Sequence, residues 1–373
     1  MSKKKIAVVG SNNAACLTAL TLYKRGDRDI DLGIYYEEQE LLSPFAETIS
    51  YQTTATLQHA LKFDWYNNQI DATPKFGSLY KDWGVKTKEI FCSSQAGNVH
   101  MNYNPKSLFG RIKESKMIQL HEQEFVSLEK EIDADYIIDC RPHALQSRDF
   151  DKYETIESPV NRFIIGNKDE VEVSNHVEIS ALPDGWCSKI PNGETTTYVF
   201  AFNSDFLSED DAPKRFTELT GIERMHCTQA ENYLAKSMWQ GERTVLNGLA
   251  LSSYDPLDGY INDFYMRVAN HFFDYVERSH IDEFTKEFAD NFVKFDMIQV
   301  VNYALWHYEK GSQFDTPFWK NAMKVVKRGM TDVTLFRNIE ASKLHSYNIF
   351  SNHDPQYYMQ WSQLDFKKWS EFN

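Results

Sequence analysis

The sequence has no uninterrupted apolar run long enough to cross a bilayer, no Cys-x-x-Cys pair, no His-Glu-x-x-His spacing and no complete glycine-rich nucleotide fingerprint. Each absence removes a class of protein. A spanning helix needs about 20 consecutive, predominantly apolar residues. The start Met1-Ser-Lys-Lys-Lys runs directly into an apolar strand where a secretion signal would need a longer apolar stretch, so neither membrane insertion nor export is expected. The five cysteines, Cys16, Cys92, Cys140, Cys187 and Cys227, are odd in number and widely scattered, which suits free thiols in a reducing cytoplasm. Eleven histidines without ligand spacing give no expectation of a protein-bound metal. Positive charge is also scarce. Lys and Arg total 40 against 54 Asp and Glu, a net charge of -14, and a surface of that sign repels nucleic acid and anionic lipid headgroups. Internal repeats and low-complexity segments are absent too.

Aromatic residues, by contrast, are plentiful: 25 Phe and 20 Tyr in 373 residues. That length can bury a large core, as one elaborate domain or two interpenetrating ones. The aromatic share fits a cavity that stacks a flat ring, and fits a plain core equally.

The stretch Lys5 to Gly26 organises the chain. Ile6, Ala7, Val8 and Val9 read as a buried strand, Gly10 as a tight turn, and Leu17 and Leu20 with the small Ala15 and Ala19 as the apolar face of a helix that Gly26 caps. A strand, turn and helix in this order can set a cofactor pyrophosphate on the helix N-terminus. A second strand, Asp31 to Tyr36, ends in Glu37 and Glu38, at the distance where an acid meets a ribose. The fingerprint is worn, however. Gly10-Ser11-Asn12-Asn13-Ala14-Ala15 keeps only the first of three glycines. Asn12 tolerates unusual backbone angles and Ala15 still permits close helix packing, so the turn is feasible. An ordinary strand-helix unit with no ligand remains the alternative.

Further on, a helix is expected over about Thr54 to Tyr66, and Lys75 follows among Pro74, Phe76 and Gly77. A lysine in apolar company either takes a partner or gives up its proton, and both outcomes suit chemistry; the plain reading is a surface lysine at a strand start. Val99 to Tyr103 leads as a strand into a helix from Ser107, Tyr136 to Ile138 is a buried strand, and Val171 to Ile179 and Thr195 to Phe202 alternate as antiparallel strands of a second sheet. Helical spacing returns in Ile261, Phe264, Tyr265, Val268, Phe272 and Tyr275. It returns again in Phe284, Phe288, Phe292, Phe295 and Ile298, and both stripes read as core. After Lys327 the periodicity fades.

The string Lys75-Phe-Gly-Ser-Leu-Tyr-Lys-Asp-Trp83 resembles the flavin-dependent tryptophan-halogenase family, in which a lysine stands eight residues before the tryptophan of an aromatic, Asp or Asn, Trp group. Other segments resemble that family in the same order. They are Glu47-Thr48; Ala134 to Cys140; Gly185-Trp186-Cys-Ser188-Lys-Ile190-Pro191; Tyr198-Val-Phe200 with Phe206 to Asp210; Gly248-Leu249 through Asp255-Pro256-Leu257-Asp258; and His307-Tyr308 with Asp315 to Trp319. The likeness spans about residues 5 to 325.

The resemblance implies an α/β, FAD-binding Rossmann-like fold of the aromatic-hydroxylase type, with a second antiparallel sheet and a helical C-terminal region. It implies one halogenase domain over residues 1–330, with cofactor-side parts near 1–50, 130–145 and 240–280 and substrate-side parts near 146–235 and 281–330. Residues 331–373 would then be a C-terminal lid or packing arm. Reduced FAD, O2 and a halide ion would yield hypohalous acid, which travels through a tunnel to Lys75; Asp258, one methylene shorter than the family's glutamate, would assist with less reach. Cofactor binding falls to Gly10, Asn12, Asn13, Ala14, Ala15, Glu37, Glu47 and Asp255, halide binding to the main-chain amides of Gly259 and Tyr260, and the tunnel or substrate wall to Trp186, Ser188 and Pro191. Ser188 stands where the family has a second tryptophan, which should open the passage or alter the substrate wall. The expected partners are an aromatic small molecule and a separate flavin reductase, with a homo-oligomer left open. A flavin monooxygenase of the same fold and a non-catalytic flavin-binding relative are the rival readings.

Overall fold

The structure is a computed structural model and describes residues 3–26, 30–37, 45–66, 68–86, 88–93, 99–142, 150–170, 174–277, 283–329 and 369. Its first half runs β1 (Lys4–Val9), α1 (Asn13–Gly26), β2 (Ile30–Tyr36), β3 (Glu47–Ile49), α2 (Tyr51–Leu61), β4 (Thr73–Lys75), β5 (Gly77–Lys81), β6 (Glu89–Ser93), β7 (His100–Tyr103), α3 (Pro105–Ser115), β8 (Gln119–Glu122), α4 (Leu128–Glu131) and β9 (Tyr136–Asp139). The second half runs β10 (Tyr153–Thr155), β11 (Arg162–Asp169), β12 (Val177–Leu182), β13 (Gly185–Asn192), β14 (Thr195–Phe202), α5 (Ala212–Thr220), β15 (His226–Gln229), β16 (Tyr233–Ala235), β17 (Thr244–Leu246), α6 (Gly248–Leu251), β18 (Ser252–Ser253), α7 (Tyr260–Glu277), α8 (Glu283–Glu309) and α9 (Pro317–Gly329).

The unbroken apolar runs of β1 and β9 make central strands of a parallel sheet, ordered β17-β9-β1-β2-β8, because such strands are buried on both faces. Ile6, Ala7, Val8 and Val9 are each at most 1% exposed. α1 packs beside α7, where Arg25 reaches Asp274 at 2.5 Å. This is the Rossmann-like core expected from the resemblance.

A seven-stranded sheet, ordered β15-β11-β14-β13-β12-β5-β6, forms the second layer. β12 alternates between buried and half-buried positions, and β14 has the bounds the sequence predicts, although six of its eight residues are buried. One seam departs from the expected antiparallel pattern: β5 runs parallel to β12, with Val177 opposite Ser78, because an earlier hairpin of the chain is added to the edge of a later meander. A small sheet, β3-β7-β4, contacts β13 of the second sheet and α7, and in it Lys75 pairs with His100. A further three-stranded sheet joins β10, β16 and β18.

Three expectations need correction. The helix expected over Thr54 to Tyr66 begins earlier, at Tyr51, and ends at Leu61 because Lys62 takes a left-handed conformation at φ 53°. The strand expected from Val171 begins at Val177, with residues 171–173 outside the described set. The stripe on α7 is core, but Phe284 on α8 is 73% exposed and Phe288, Phe292, Phe295 and Ile298 are 40–44% exposed. Period alone shows that a helix face is apolar, not that anything covers it. The C-terminal arm lies outside the described residues, except for Trp369, whose indole is fully buried.

Candidate active site

A cleft of about 350 Å³ opens beyond the carboxyl ends of β1 and β9, where ligands of open α/β sheets bind, and reaches across to the second sheet. Asn12, Asn13 and Ala14 line one end of it, Glu47 and Thr48 the middle, and Asp258 and Gly259 the other side. Apolar side chains of β11, β13 and β14, among them Ile165, Ile190 and Val199, supply a wall for a flat ring. Two polar atoms on the lining, Thr48 Oγ1 and Asn232 Oδ1, are buried and have no hydrogen-bond partner among the described residues. Such atoms cost about 1–3 kcal/mol each unless a ligand satisfies them. The residues present therefore fit a large cofactor with a planar ring and polar edge, as FAD has.

The worn glycine turn works differently from expectation. Gly10 takes φ 125°, but Asn12 is not among the residues with positive φ. Its side chain instead accepts from the Ala15 amide at 3.0 Å and donates to the Cys140 carbonyl at 2.7 Å, capping α1 and tying it to β9. The close approach that a third glycine normally permits is moved to the opposite partner. A Cβ on Gly248 would lie 2.5 Å from Ala14 Cβ, so Gly248 makes room for a helix that carries alanine. The sequence shows this glycine, but not that it faces α1.

Asn13 is braced more than presented: its Nδ2 donates to Asn262 Oδ1 at 2.9 Å, and its Oδ1 accepts from the Tyr103 hydroxyl. Asn262 in turn donates to Glu47 Oε2 at 3.0 Å, and burial pushes the Glu47 carboxyl above its usual range. Glu37 follows β2, with Arg141 Nη1 at 3.6 Å, and is not among the residues that line the cleft; Glu38 lies outside the described residues. Arg141 also grips Asp139, Nε to Oδ1 at 3.0 Å and Nη2 to Oδ2 at 3.1 Å. Sequence reasoning had not singled out this arginine.

Lys75 is not a surface lysine. It is 1% exposed, and its Nζ lies 2.8 Å from Asp258 Oδ1. Asp258 also accepts from Ser78 Oγ at 2.9 Å, Tyr80 OH at 3.1 Å and Tyr260 OH at 3.4 Å. Burial and the Asp258 charge push both phenols well above their ordinary range, so they stay protonated donors. The reduced reach expected of an aspartate is not observed. The backbone removes the deficit: Asp258 at φ 54° and Gly259 at φ 75° form a left-handed pair that swings the short carboxylate onto Lys75. Among the described residues, Asp258 lines the cleft and Lys75, bonded to its carboxylate, does not.

At the same turn, Gly259 lines the cleft while its amide donates to the Pro256 carbonyl at 3.2 Å, and Tyr260 opens α7 with its ring edge-on to Tyr303 at 4.1 Å. Ser188 is on the cleft wall; Trp186 lies one pleat along the same face of β13. The Pro191 carbonyl accepts from Asn102 at 3.0 Å and Thr73 at 3.2 Å, pinning β13 to the small sheet.

Asp255 lies behind the turn. Trp186 Nε1 donates to Tyr308 OH at 2.7 Å, and Tyr308 OH donates to Asp255 Oδ2 at 2.7 Å, with the Leu257 amide on Oδ1 at 3.1 Å. Burial pushes the Asp255 carboxyl up to about 6. A carboxyl raised in the fold holds its proton while the unfolded chain releases it, so its contribution to stability falls as pH rises from about 4 to about 6. His307, pushed down to about 4 by burial, acts with the opposite sign over a similar range. The comparison that isolates Asp255 is therefore a difference: from pH 4 to pH 7, Asp255→Asn should gain roughly 2–3 kcal/mol relative to wild type in denaturant melts. A flat difference across that range would show that Asp255 ionises freely in the fold.

The comparisons with known proteins bear on the fold and the family. No curated protein matches the sequence. In fold, the chain is similar to a thermophilic tryptophan halogenase from Streptomycin violaceusniger, with a TM-score of 0.80 at 13% identity over 98% of this chain and 91% of that one. It is similar also to a tryptophan halogenase from Shewanella frigidimarina, with a TM-score of 0.79 at 11% identity over 99% of this chain and 88% of that one. A third is BrvH, a flavin-dependent halogenase from Brevundimonas, with a TM-score of 0.76 at 12% identity over 98% and 90%. At these identities the likeness speaks for the fold; the sequence itself supplies the rest, since the model of the tryptophan halogenase family matches residues 111–360, well over half of its length, and the chain belongs to that family.

Proposed function

We propose that the protein is a reduced-flavin-dependent halogenase acting on an electron-rich aromatic or heteroaromatic small molecule, with Lys75 and Asp258 as its catalytic pair. The observation that carries this reading is the buried contact between them at 2.8 Å, with Asp258 among the residues that line the cleft. Asn12, Asn13, Ala14, Glu47, Thr48 and Asn232 would hold FAD, the amide-bearing end of α1 facing its pyrophosphate. When bound and reduced, FAD supplies, with O2 and a halide ion, the hypohalous acid that the reaction consumes. The halide sits at the Gly259 and Tyr260 amides, the Gly259 amide exchanging its long bond to Pro256 for the anion. A separate flavin reductase delivers the reduced cofactor.

The chain's own groups then have defined tasks. The Lys75 ammonium donates a hydrogen bond to the oxygen of the oxidant and makes the halogen electrophilic, or the amine carries the halogen as a haloamine. With the ammonium as donor, the ring attacks the halogen, the oxygen leaves as water with a proton from Lys75, and Asp258 takes the ring proton as aromaticity returns; in the haloamine route water leaves when the N–halogen bond forms, and the amine is then the leaving group and receives the ring proton through Asp258. Tyr80, Tyr260 and Ser78 hold that carboxylate in place through the hydrogen bonds already described.

The test is turnover with FAD, a flavin reductase, NADH, chloride, bromide or iodide, and a panel of indoles and phenols, read by product mass. One hydrogen replaced by the supplied halogen is expected. An added oxygen independent of halide would establish a monooxygenase instead, and neither flavin binding nor turnover would establish a non-catalytic relative.

A further inference from the structure

The segment Asp255-Pro256-Leu257-Asp258-Gly259 carries the candidate site on two consecutive left-handed residues, Asp258 at φ 54° and Gly259 at φ 75°. A side chain in that region is strained, and the strain persists only where the surroundings over-determine it. At one end the Asp258 carboxylate is fixed by Lys75, Ser78, Tyr80 and Tyr260. At the other end the grip is on Asp255. Its Oδ1 accepts from the Leu257 amide at 3.1 Å, and its Oδ2 from Ser158 Oγ at 3.1 Å and Tyr308 OH at 2.7 Å. Tyr308 is the donor that reaches two layers of the fold: it stands on α8 and accepts from Trp186 Nε1, on β13 of the second sheet, at 2.7 Å.

That second bond fixes the direction of the first. An indole nitrogen can only donate, so the Tyr308 oxygen must accept there, and its single hydrogen goes to Asp255. Tyr308 and Trp186 are fully buried and Asp255 is 2% exposed, so water does not compete. The Tyr308 ring adds a further contact. It meets Trp83 at 5.6 Å, and Trp83 in turn stands edge-on, at 6.1 Å, to Tyr80, whose hydroxyl donates to Asp258. One side chain therefore braces both ends of the segment, with its hydroxyl at Asp255 and its ring, by way of Trp83 and Tyr80, at Asp258. None of Tyr308, Trp186 and Asp255 is among the described residues that line the cleft, so what Tyr308 does for the reaction it does through the segment.

We infer that Tyr308 is a positioning residue for the proposed chemistry. Acting through Asp255, it holds the left-handed pair in the shape that brings the Asp258 carboxylate to Lys75 and places Gly259 on the cleft. Without the hydroxyl, Asp255 loses a buried donor and the segment relaxes towards an ordinary turn, which draws the carboxylate out of hydrogen-bond reach of Lys75. The kinetic consequence rests on the halogenase reading above; the geometric one does not.

The test compares the full-length wild type with Tyr308→Phe, Asp255→Asn, the double variant and Thr220→Val. The last is the control, because it deletes a buried hydroxyl on α5 that bonds only its own helix and the turn after it. In crystals of Tyr308→Phe grown without flavin or halide, Lys75 Nζ is expected beyond hydrogen-bond reach of Asp258 Oδ1. In turnover its kcat should fall by about tenfold or more, with flavin affinity and the KM for the acceptor unchanged. The double variant should be no slower than Asp255→Asn, since two residues acting in series do not add, and Thr220→Val should keep kcat while melting earlier. A segment that keeps its shape in Tyr308→Phe with kcat within about twofold of wild type overturns the inference, as do losses that multiply in the double variant or an equal loss in Thr220→Val. A wild type that makes no halogenated product, while the segment opens in Tyr308→Phe, refutes the proposed activity and leaves the positioning of the segment standing. One that halogenates, with the segment unmoved in Tyr308→Phe, does the reverse.

Discussion

Lys75→Met should abolish halogenation, with a loss of at least about 100-fold, and should also cost about 3–5 kcal/mol of stability by leaving the Asp258 carboxylate buried without its cation. The two effects have different origins and can be separated. Adding Asp258→Asn removes the stranded charge while keeping a short side chain that tolerates φ 54° and still accepts from Ser78, Tyr80 and Tyr260. Replacing both members of a buried ion pair is frequently neutral, so the double variant should recover most of the lost stability. It should recover none of the halogenation. Chemical denaturation and product mass on the same three preparations check this. If Lys75→Met still halogenates within a few-fold of wild type, or if activity returns together with stability in the double variant, the pair is structural and the proposed chemistry lies elsewhere.

The sequence showed more of the site than of the scaffold that assembles it. Lys75 was legible because a lysine between Pro74 and Phe76 is unusual and because the string to Trp83 carries the family likeness. Its partner was legible as a position but not as a contact, since the left-handed backbone of Asp258 and Gly259 cannot be read from an Asp-Gly dipeptide that serves equally as an ordinary turn. The parallel core sheet followed from continuous apolar runs. The parallel seam between β5 and β12 did not, because both strands alternate and alternation does not state direction. Arg141 escaped notice for a related reason. A single arginine after a strand gains meaning only once β9 and β2 set it beside Asp139 and Glu37. Gln299 and Asn302 look like ordinary polar positions on a long helix until burial shows their unmet hydrogen bonds. The exposed Phe ladder on α8 is the opposite case, an apolar period that no described element covers.

Gly259→Ala should be the most damaging single-methyl change at the candidate site. A Cβ there would lie 2.6 Å from the Thr48 carbonyl oxygen and 2.5 Å from Thr48 Cγ2, closer than nonbonded atoms approach. The side-chain methyl could rotate away, but the carbonyl belongs to β3, which is pinned to β7 by the pairs Glu47 with Tyr103 and Thr48 with Asn102. Left-handed backbone costs an alanine about 1–2 kcal/mol relative to glycine, and the backbone contact should raise the total to roughly 3 kcal/mol or more. Gly193 supplies the control, because it takes φ 67° in a turn where an added Cβ meets nothing within 4 Å. Gly193→Ala should show the backbone cost alone, and the difference between the two variants measures the contact with β3. Because Gly259 also lines the cleft beside Asp258, the variant that folds should lose flavin affinity, read by fluorescence quenching, while Gly193→Ala retains it. Equal destabilisation of the two variants with flavin binding intact would mean that β3 yields to the turn, and that the close packing of Thr48 on Gly259 does not set the shape of the site.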